Sequence, residues 1–185
     1  RKTINSSITQ GSFDGNTWTV TEKNANITEV ETMTAQVLVK TLDMERDEWL
    51  EHRRLGIGGS DAAAILGINP WKSPMDVWLE KTGEFTEDES QDNEKMYWGT
   101  ALEDVVAREF MARAGLKVRR RNAILKHKQY PFMIANVDRL VVGQSAGLEC
   151  KTAGQYLADD WAMGVPEYYL PQVQHYMAVT GYKAW

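Results

Sequence analysis

Residues 134–152 read IANVDRLVVGQSAGLECKT, and the fold turns on this stretch. Short apolar runs flank a glycine-containing segment, Gly143-Gln144-Ser145-Ala146-Gly147, the pattern of two strands joined by a turn. Side chains alternate along a strand, so Glu149 and Lys151 face one side and Cys150 the other. Asp138 falls on the partner strand, which makes the three charged groups a compact cluster. Two carboxylates can hold a hard divalent cation through oxygen ligands. Such a cation activates water and polarises a phosphoryl oxygen, while a lysine can orient that water or offset developing charge. This is the chemistry of phosphodiester hydrolysis. Taken alone, a triplet this short is more often a surface salt bridge on a hairpin, so the rest of the chain has to decide.

Working outward, Trp98-Gly99-Thr100-Ala101-Leu102-Glu103 lies early in a long amphipathic helix spanning about 93–114 and ending at Gly115. Its apolar stripe is Leu102, Val105, Val106, Phe110 and Met111. Glu103 sits on or beside that stripe, where a carboxylate is costly unless paired or metal-bound; the alternative is an exposed glutamate at the stripe's edge. If the helix packs on the hairpin, Glu103 becomes a third acid beside Asp138 and Glu149. On a later helix, Gln172 and Tyr176 are four residues apart and share a face. They can hydrogen-bond water, phosphate or a base, or simply supply surface polarity. His175 points elsewhere and reads as structural, and His52 and His127 read as exposed.

Upstream, Arg53 and Ser60 flank the turn Gly56-Ile57-Gly58-Gly59. Backbone N–H groups at such a turn favour an anion, and arginine adds charge-assisted bonds to phosphate oxygens. A plain tight turn is the simpler reading of the glycines. GIGGSD is no dinucleotide fingerprint, because it lacks both the spacing and a preceding strand. Trp71, Trp78, Trp98 and Trp161 are candidates for stacking on bases, although tryptophans at helical spacing more often sit in the core.

The 185 residues, 43% of them hydrophobic and 25% charged, suffice for one domain with a sizeable core. No apolar run approaches the ~18 residues that span a bilayer, and no signal-peptide core is seen. A single cysteine makes a reducing, cytoplasmic setting the default. A net charge of −5 argues against nonspecific coating of nucleic acid but not against a nuclease, whose metal site is itself acidic. Positive charge is concentrated at Arg53-Arg54, Arg119-Arg120-Arg121 and Lys126-His127-Lys128.

Residues 1–32, rich in Thr, Asn, Ser and Gly, read as a poorly packed leader or appended segment with a weak hairpin around Thr17–Val20, and Met33 as a plausible original start. Organised structure is expected from about Leu42. Helices are predicted at Glu45–Arg54, at Ala62–Leu66 capped by Ser60-Asp61, and from Ser73-Pro74 to Gly83. An acidic, aperiodic stretch follows at Glu84–Glu94. Strands are predicted near 116–125, 131–137, 139–142 and 147–152, then helices near 154–163 and 168–180. The final Tyr182-Lys183-Ala184-Trp185 reads as the start of a further strand, so the nuclease domain, 33–185, is expected to be incomplete at its C-terminus.

Five blocks in order carry a family resemblance: Trp49 to Arg53 with GIGGSDAAAILG, WGTALE, Asp138, GLECK and LPQVQHYMAVTG. Over about residues 35–185 the chain resembles the lambda exonuclease family, in its YqaJ-like branch of phage recombinases. The resemblance implies an α/β (α+β) PD-(D/E)xK core, a central mixed sheet flanked by helices. It implies 5′-to-3′ digestion of linear duplex DNA, leaving 3′ overhangs for a single-strand annealing protein, and a homotrimer in the full-length protein. By resemblance, Glu103, Asp138 and Glu149 are the ligands of Mg2+ or Mn2+, and Lys151 is the catalytic lysine. Arg53, or the adjacent Arg54, and Ser60 grip the 5′-phosphate at a double-stranded end. Gln172, Gln174 and Tyr176 form the glutamine-tyrosine motif. Asp138 is followed by Arg139 where many relatives have glycine. The alternatives are a structure-specific endonuclease or resolvase on the same core, and a non-catalytic DNA-end-binding recombination protein.

Overall fold

The structure, a computed structural model, describes residues 6–13, 18–25, 33–84, 94–154 and 157–185. At the N-terminus, β1 (Ser6–Phe13) and β2 (Trp18–Ala25) pair antiparallel from Ser6↔Ala25 to Phe13↔Trp18. The two strands of the expected hairpin therefore pair, and residues 14–17 between them lie outside the described residues.

Order in the main body starts earlier than expected, at β3 (Gln36–Lys40). This strand has few turn or periodicity signals of its own, and its partner, β5 (Ala123–Lys126), lies far along the chain. The segment expected as one strand over 116–125 is two, β4 (Val118–Arg120) and β5, and they enter different sheets. Between them the Ala123 N–H turns back to the Arg121 carbonyl at 2.7 Å, which redirects the chain. The next strands are shorter than predicted: β6 (Ile134–Asn136), β7 (Arg139–Val141) and β8 (Gly147–Leu148). The predicted hairpin is β7–β8, with Arg139↔Leu148 and Leu140↔Gly147 paired.

The strands form two three-stranded antiparallel sheets, β3-β5-β6 and β4-β7-β8. Parallel bridges, Ile57↔Met133 and Ala146↔Ala184, add the mixed character. At the second bridge the terminal residues lie beside β8 as an isolated bridge: Gly147 N–H donates to the Ala184 carbonyl at 3.1 Å.

The helices follow the sequence signals closely. Helix α1 spans Arg46–Arg54. Helix α2 spans Gly59–Ile65 and starts earlier than predicted: Gly58 is the N-cap, and Asp61, not Ser60, reaches back to bond the Gly58 N–H at 2.9 Å. Helix α3, Pro74–Thr82, has the predicted capping box, with Ser73 and Asp76 bonding each other's backbone. The acidic stretch falls at 85–93, outside the described residues. Helix α4 spans Glu94–Ala114; of the expected stripe, Leu102, Val106, Phe110 and Met111 are half-buried while Val105 is 47% exposed, and Ala107 beside them is buried. Helix α5 (Ala158–Ala162) is a single turn, shorter than expected, and a 3-10 turn at Glu167–Tyr169 leads into α6 (Leu170–Thr180). Helix α6 ends at Gly181, whose φ of 75° and whose closeness to Thr34 leave no room for a side chain.

The core gathers both sheets and α6: Ala123, Leu125, Ala135, Val137, Leu140, Tyr176 and Val179. The last of these elements matters most for the site, because α6 lays Gln172, His175 and Tyr176 inward along one buried edge. Of the four candidate tryptophans, Trp71, Trp78 and Trp98 are exposed and Trp161 is half-buried, so none of these four is a core residue.

Candidate active site

The ladder of β8 stops at Leu148 because side chains take over the bonds that follow. The Cys150 N–H donates to Asp138 Oδ2 at 2.8 Å. This fixes the two strands of the hairpin in register and brings Glu149 opposite Asp138. Lys151 Nζ donates to Glu149 Oε1 at 2.8 Å, as the alternation along the strand predicts. Gln172 Nε2 donates to the same oxygen at 2.6 Å and to the Tyr176 hydroxyl at 2.8 Å. The i, i+4 pair on α6 is therefore a bracket that holds Glu149 from the helix side. The Lys151 ammonium lies 5.3 Å from the centroid of the Tyr169 ring, which gives it a second support.

Glu149 is 9% exposed, and its second oxygen, Oε2, is buried with no hydrogen-bond partner. Burial, and then the charge of Asp138, push its carboxyl up to about 7; the Lys151 ammonium pulls the other way. Burial also raises Asp138, against the Cys150 N–H, and the Glu103 charge adds to it. Burial first, and Asp138 next, push the Cys150 thiol up to about 12, so it is no nucleophile. Tyr176 is raised by burial and by Glu149, and stays a neutral hydroxyl. Two buried carboxylates that disfavour each other's charge, one with a bare oxygen, are a donor set suited to a hard divalent cation.

Glu103 is placed differently from the expectation. Arg139 Nη1 donates to Glu103 Oε1, and the glutamate does not line the cavity described below. Among the described residues, no three acidic, histidine or cysteine side chains come together in metal-holding geometry. The physical reason is Arg139, a guanidinium only 4% exposed that needs anions of its own.

A cavity of about 170 Å³ joins the acidic pair to the upstream turn; Arg53, Ser60, Asp138, Glu149, Gln172 and Tyr176 all line it. Arg53 Nη2 donates to Ser60 Oγ at 3.0 Å, and its guanidinium stacks 4.6 Å from the Trp49 ring centroid. Arg54 is exposed and does not reach the cavity, so Arg53 is the arginine of the adjacent pair that faces the site. The Gly58 N–H, which the sequence offers to an anion, is already taken by Asp61. Gln174 is exposed and lines no part of the cavity. Asn136 does line it and was missed; it lies two residues before Asp138, and that alternation was its one signal.

His175 is structural, as expected, its Nε2 2.9 Å from the Ile134 carbonyl and its pKa lowered by burial. His52 and His127 are half-buried rather than exposed. His52 lies 3.9 Å from Glu48, and His127 Nδ1 accepts the Gln129 and Tyr130 N–H groups, closing a turn.

Helix α2 reaches the site through Gly59. A Cβ there would lie 2.5 Å from Tyr176 Cε1, and the ring is buried and tied to Gln172 through its hydroxyl. Gly59→Ala should therefore lose about 1–3 kcal/mol through overpacking, despite alanine's better helix propensity. Urea unfolding measures this; a gain in stability would show that the ring yields.

Two solved structures share this fold. An alkaline exonuclease from Laribacter hongkongensis, LHK-Exo, superposes with a TM-score of 0.59 at 23% identity, covering 73% of this chain and 69% of that one. LHK-Exo in complex with dAMP gives a TM-score of 0.61 at 22% identity, covering 74% and 70%. The molecule thus has the fold of the alkaline exonucleases, which bears out the expected α/β nuclease-type core. Its sequence matches the YqaJ-like viral recombinase domain over residues 48–183, and the chain belongs to that family. The protein YqaJ of Bacillus subtilis (strain 168) is 55% identical over 148 residues, 80% of this chain and 46% of YqaJ. Protein D345L of African swine fever virus is 39% identical over 59 residues, 32% of this chain and 16% of that protein. The chain thus spans less than half the length of these relatives. No described helix is long and apolar enough to cross a membrane.

Proposed function

We propose that this protein is a metal-dependent exonuclease that digests linear double-stranded DNA from its 5′ ends. The observation that carries the reading is the buried, partnerless Oε2 of Glu149 facing Asp138, in one cavity with Arg53 and Ser60. Asp138 and Glu149 hold Mg2+ or Mn2+, and Glu103 joins them from α4. When bound, the cation supplies a Lewis acid for the phosphoryl oxygen and lowers the pKa of water. Lys151 orients the attacking water and offsets charge that develops on the phosphate. Gln172 and Tyr176 keep Glu149 in place. Arg53 and Ser60 hold the terminal 5′-phosphate, which sets the direction of digestion. The resemblance extends the proposal to 3′ overhangs passed to a single-strand annealing protein and a homotrimer in the longer protein, and the single cysteine to work in the cytoplasm.

The test is digestion of a linear duplex with a 5′-phosphate, labelled in turn on each strand, with Mg2+ and with chelator. Cation-dependent release of mononucleotides from the 5′-phosphorylated strand is expected, with covalently closed circles left intact. Cutting of closed circles would replace this reading with a structure-specific endonuclease. Binding of ends without release would replace it with an end-binding recombination protein.

A further inference from the structure

Arg139 is the least expected feature of the site. It stands on β7 directly after Asp138, yet its side chain is 4% exposed. The guanidinium serves three acceptors. Nη1 bonds Glu103 Oε1 and also the Asp138 carbonyl at 2.8 Å, and Nη2 bonds Asp104 Oδ1 at 2.5 Å. Asp104 is 61% exposed, and its other oxygen is held by Arg120 Nη2 at 2.7 Å. Neighbouring residues of α4 therefore straddle one buried cation, while Arg120 pins the outer of the two.

We propose that Arg139 and Asp104 form an exchange clamp that stores Glu103 and releases it to the divalent cation. This rests on the cation reading above and adds how the third carboxylate is delivered. Glu103 belongs to Arg139 in the free protein. For Glu103 to turn to a cation at Asp138 and Glu149, Arg139 must give up an anionic partner while remaining buried. A buried guanidinium left without a carboxylate is strongly penalised. Asp104 removes that penalty: with Glu103 gone, Arg139 keeps Asp104 and the Asp138 carbonyl. Holding that carbonyl also fixes the backbone that carries Asp138. Arg139 and Asp104 are positioning residues, acting through Glu103.

The experiment is Mn2+ binding by isothermal titration calorimetry to this chain, to Asp104→Asn and to Asp104→Glu. Without the carboxylate of Asp104, release of Glu103 strands Arg139, so Asp104→Asn should bind Mn2+ roughly tenfold more weakly, the size of one charged hydrogen bond. Asp104→Glu keeps the anion and should bind within about twofold of the unaltered chain. Unchanged affinity in Asp104→Asn, or no rescue by Asp104→Glu, overturns the clamp. An unaltered chain that binds no Mn2+ overturns the cation reading itself, and the clamp with it.

Discussion

Lys151→Ala should lower the rate of duplex digestion by about 10²–10³-fold, the usual cost of removing one preorganised charge or donor at a phosphoryl or acyl centre. The expectation follows from what the side chain touches. Its ammonium is 2.8 Å from Glu149 Oε1, and the neighbouring Glu149 Oε2 is the partnerless oxygen that would hold the proposed cation. Lys151 thus sits where it can contribute to both the nucleophile and the transition-state charge. Alanine also removes the group that holds Glu149 down to about 7 against burial and Asp138, so more of the carboxyl is protonated at neutral pH. Both effects act in the same direction on the chemical step. The fold should survive, because Lys151 lies outside the β8 ladder and is not part of the core. Affinity for a 5′-phosphorylated end should change by less than about threefold, since Arg53 and Ser60 are untouched. Single-turnover digestion beside an end-binding titration separates the two. A mutant digesting within a few-fold of the parent rate would take Lys151 out of the chemistry.

The parts of this site that were legible in the sequence are those fixed by local geometry. Glu149 and Lys151 share a face because a strand alternates, and Gln172 and Tyr176 share one because a helix repeats. The Ser73-Asp76 box likewise needed only four consecutive residues. What escaped depends on packing between distant segments. Arg139 follows Asp138 in sequence as an ordinary hairpin charge, and nothing local says that α4 will close over it. Its burial decides where Glu103 goes, so the composition of the acidic site was readable and its assembly was not. The same limit hid β3, whose pairing with β5 joins residues far apart in the chain. It also hid the division of 116–125, where a backbone turn at Arg121 sends one apparent strand into two sheets. The choice between Arg53 and Arg54 needed the orientation of α1 against the Gly58–Gly59 turn. Once that is set, Trp49 one turn earlier stacks on Arg53 and leaves Arg54 outside.

Asp61 was read as a helix cap, but its larger role is structural. Its carboxylate is fully buried, and Lys81 Nζ lies 2.9 Å from Oδ2 and Lys72 Nζ 3.4 Å from Oδ1. The Gly58 N–H bonds it as well, and Lys81 also donates to the Arg53 carbonyl at 3.0 Å. One carboxylate on α2 thus ties together α1, which carries Arg53, and α3, which carries Lys81. Burial alone would raise the Asp61 pKa; the hydrogen bond and charge of Lys81, the Gly58 N–H and Lys72 outweigh it and hold the group below its ordinary 3.8. A depressed folded pKa means that this stabilisation is present above the unfolded value and is lost as pH falls through the folded one. Acid unfolding of the parent should therefore gain a contribution below about pH 4 that Asp61→Asn lacks. At neutral pH, Asp61→Ala leaves the Gly58 N–H without its partner and the Lys81 ammonium with only Glu80 at 3.5 Å and the Arg53 carbonyl, which costs about 3 kcal/mol. In a chain of this size that lowers Tm by roughly 10 °C. Asp61→Asn still offers an oxygen to Gly58 but no charge to Lys81, so its loss should be smaller. Calorimetry at neutral pH ranks the three proteins, and a Tm for Asp61→Ala within about 2 °C of the parent would show that Glu80, which already pairs with both lysines, and water suffice for them. Because the same carboxylate sets the distance between α1 and α2, the Arg53–Ser60 pair should loosen in either variant. End binding should then fall more than the turnover of bound ends, the opposite of the pattern expected for Lys151.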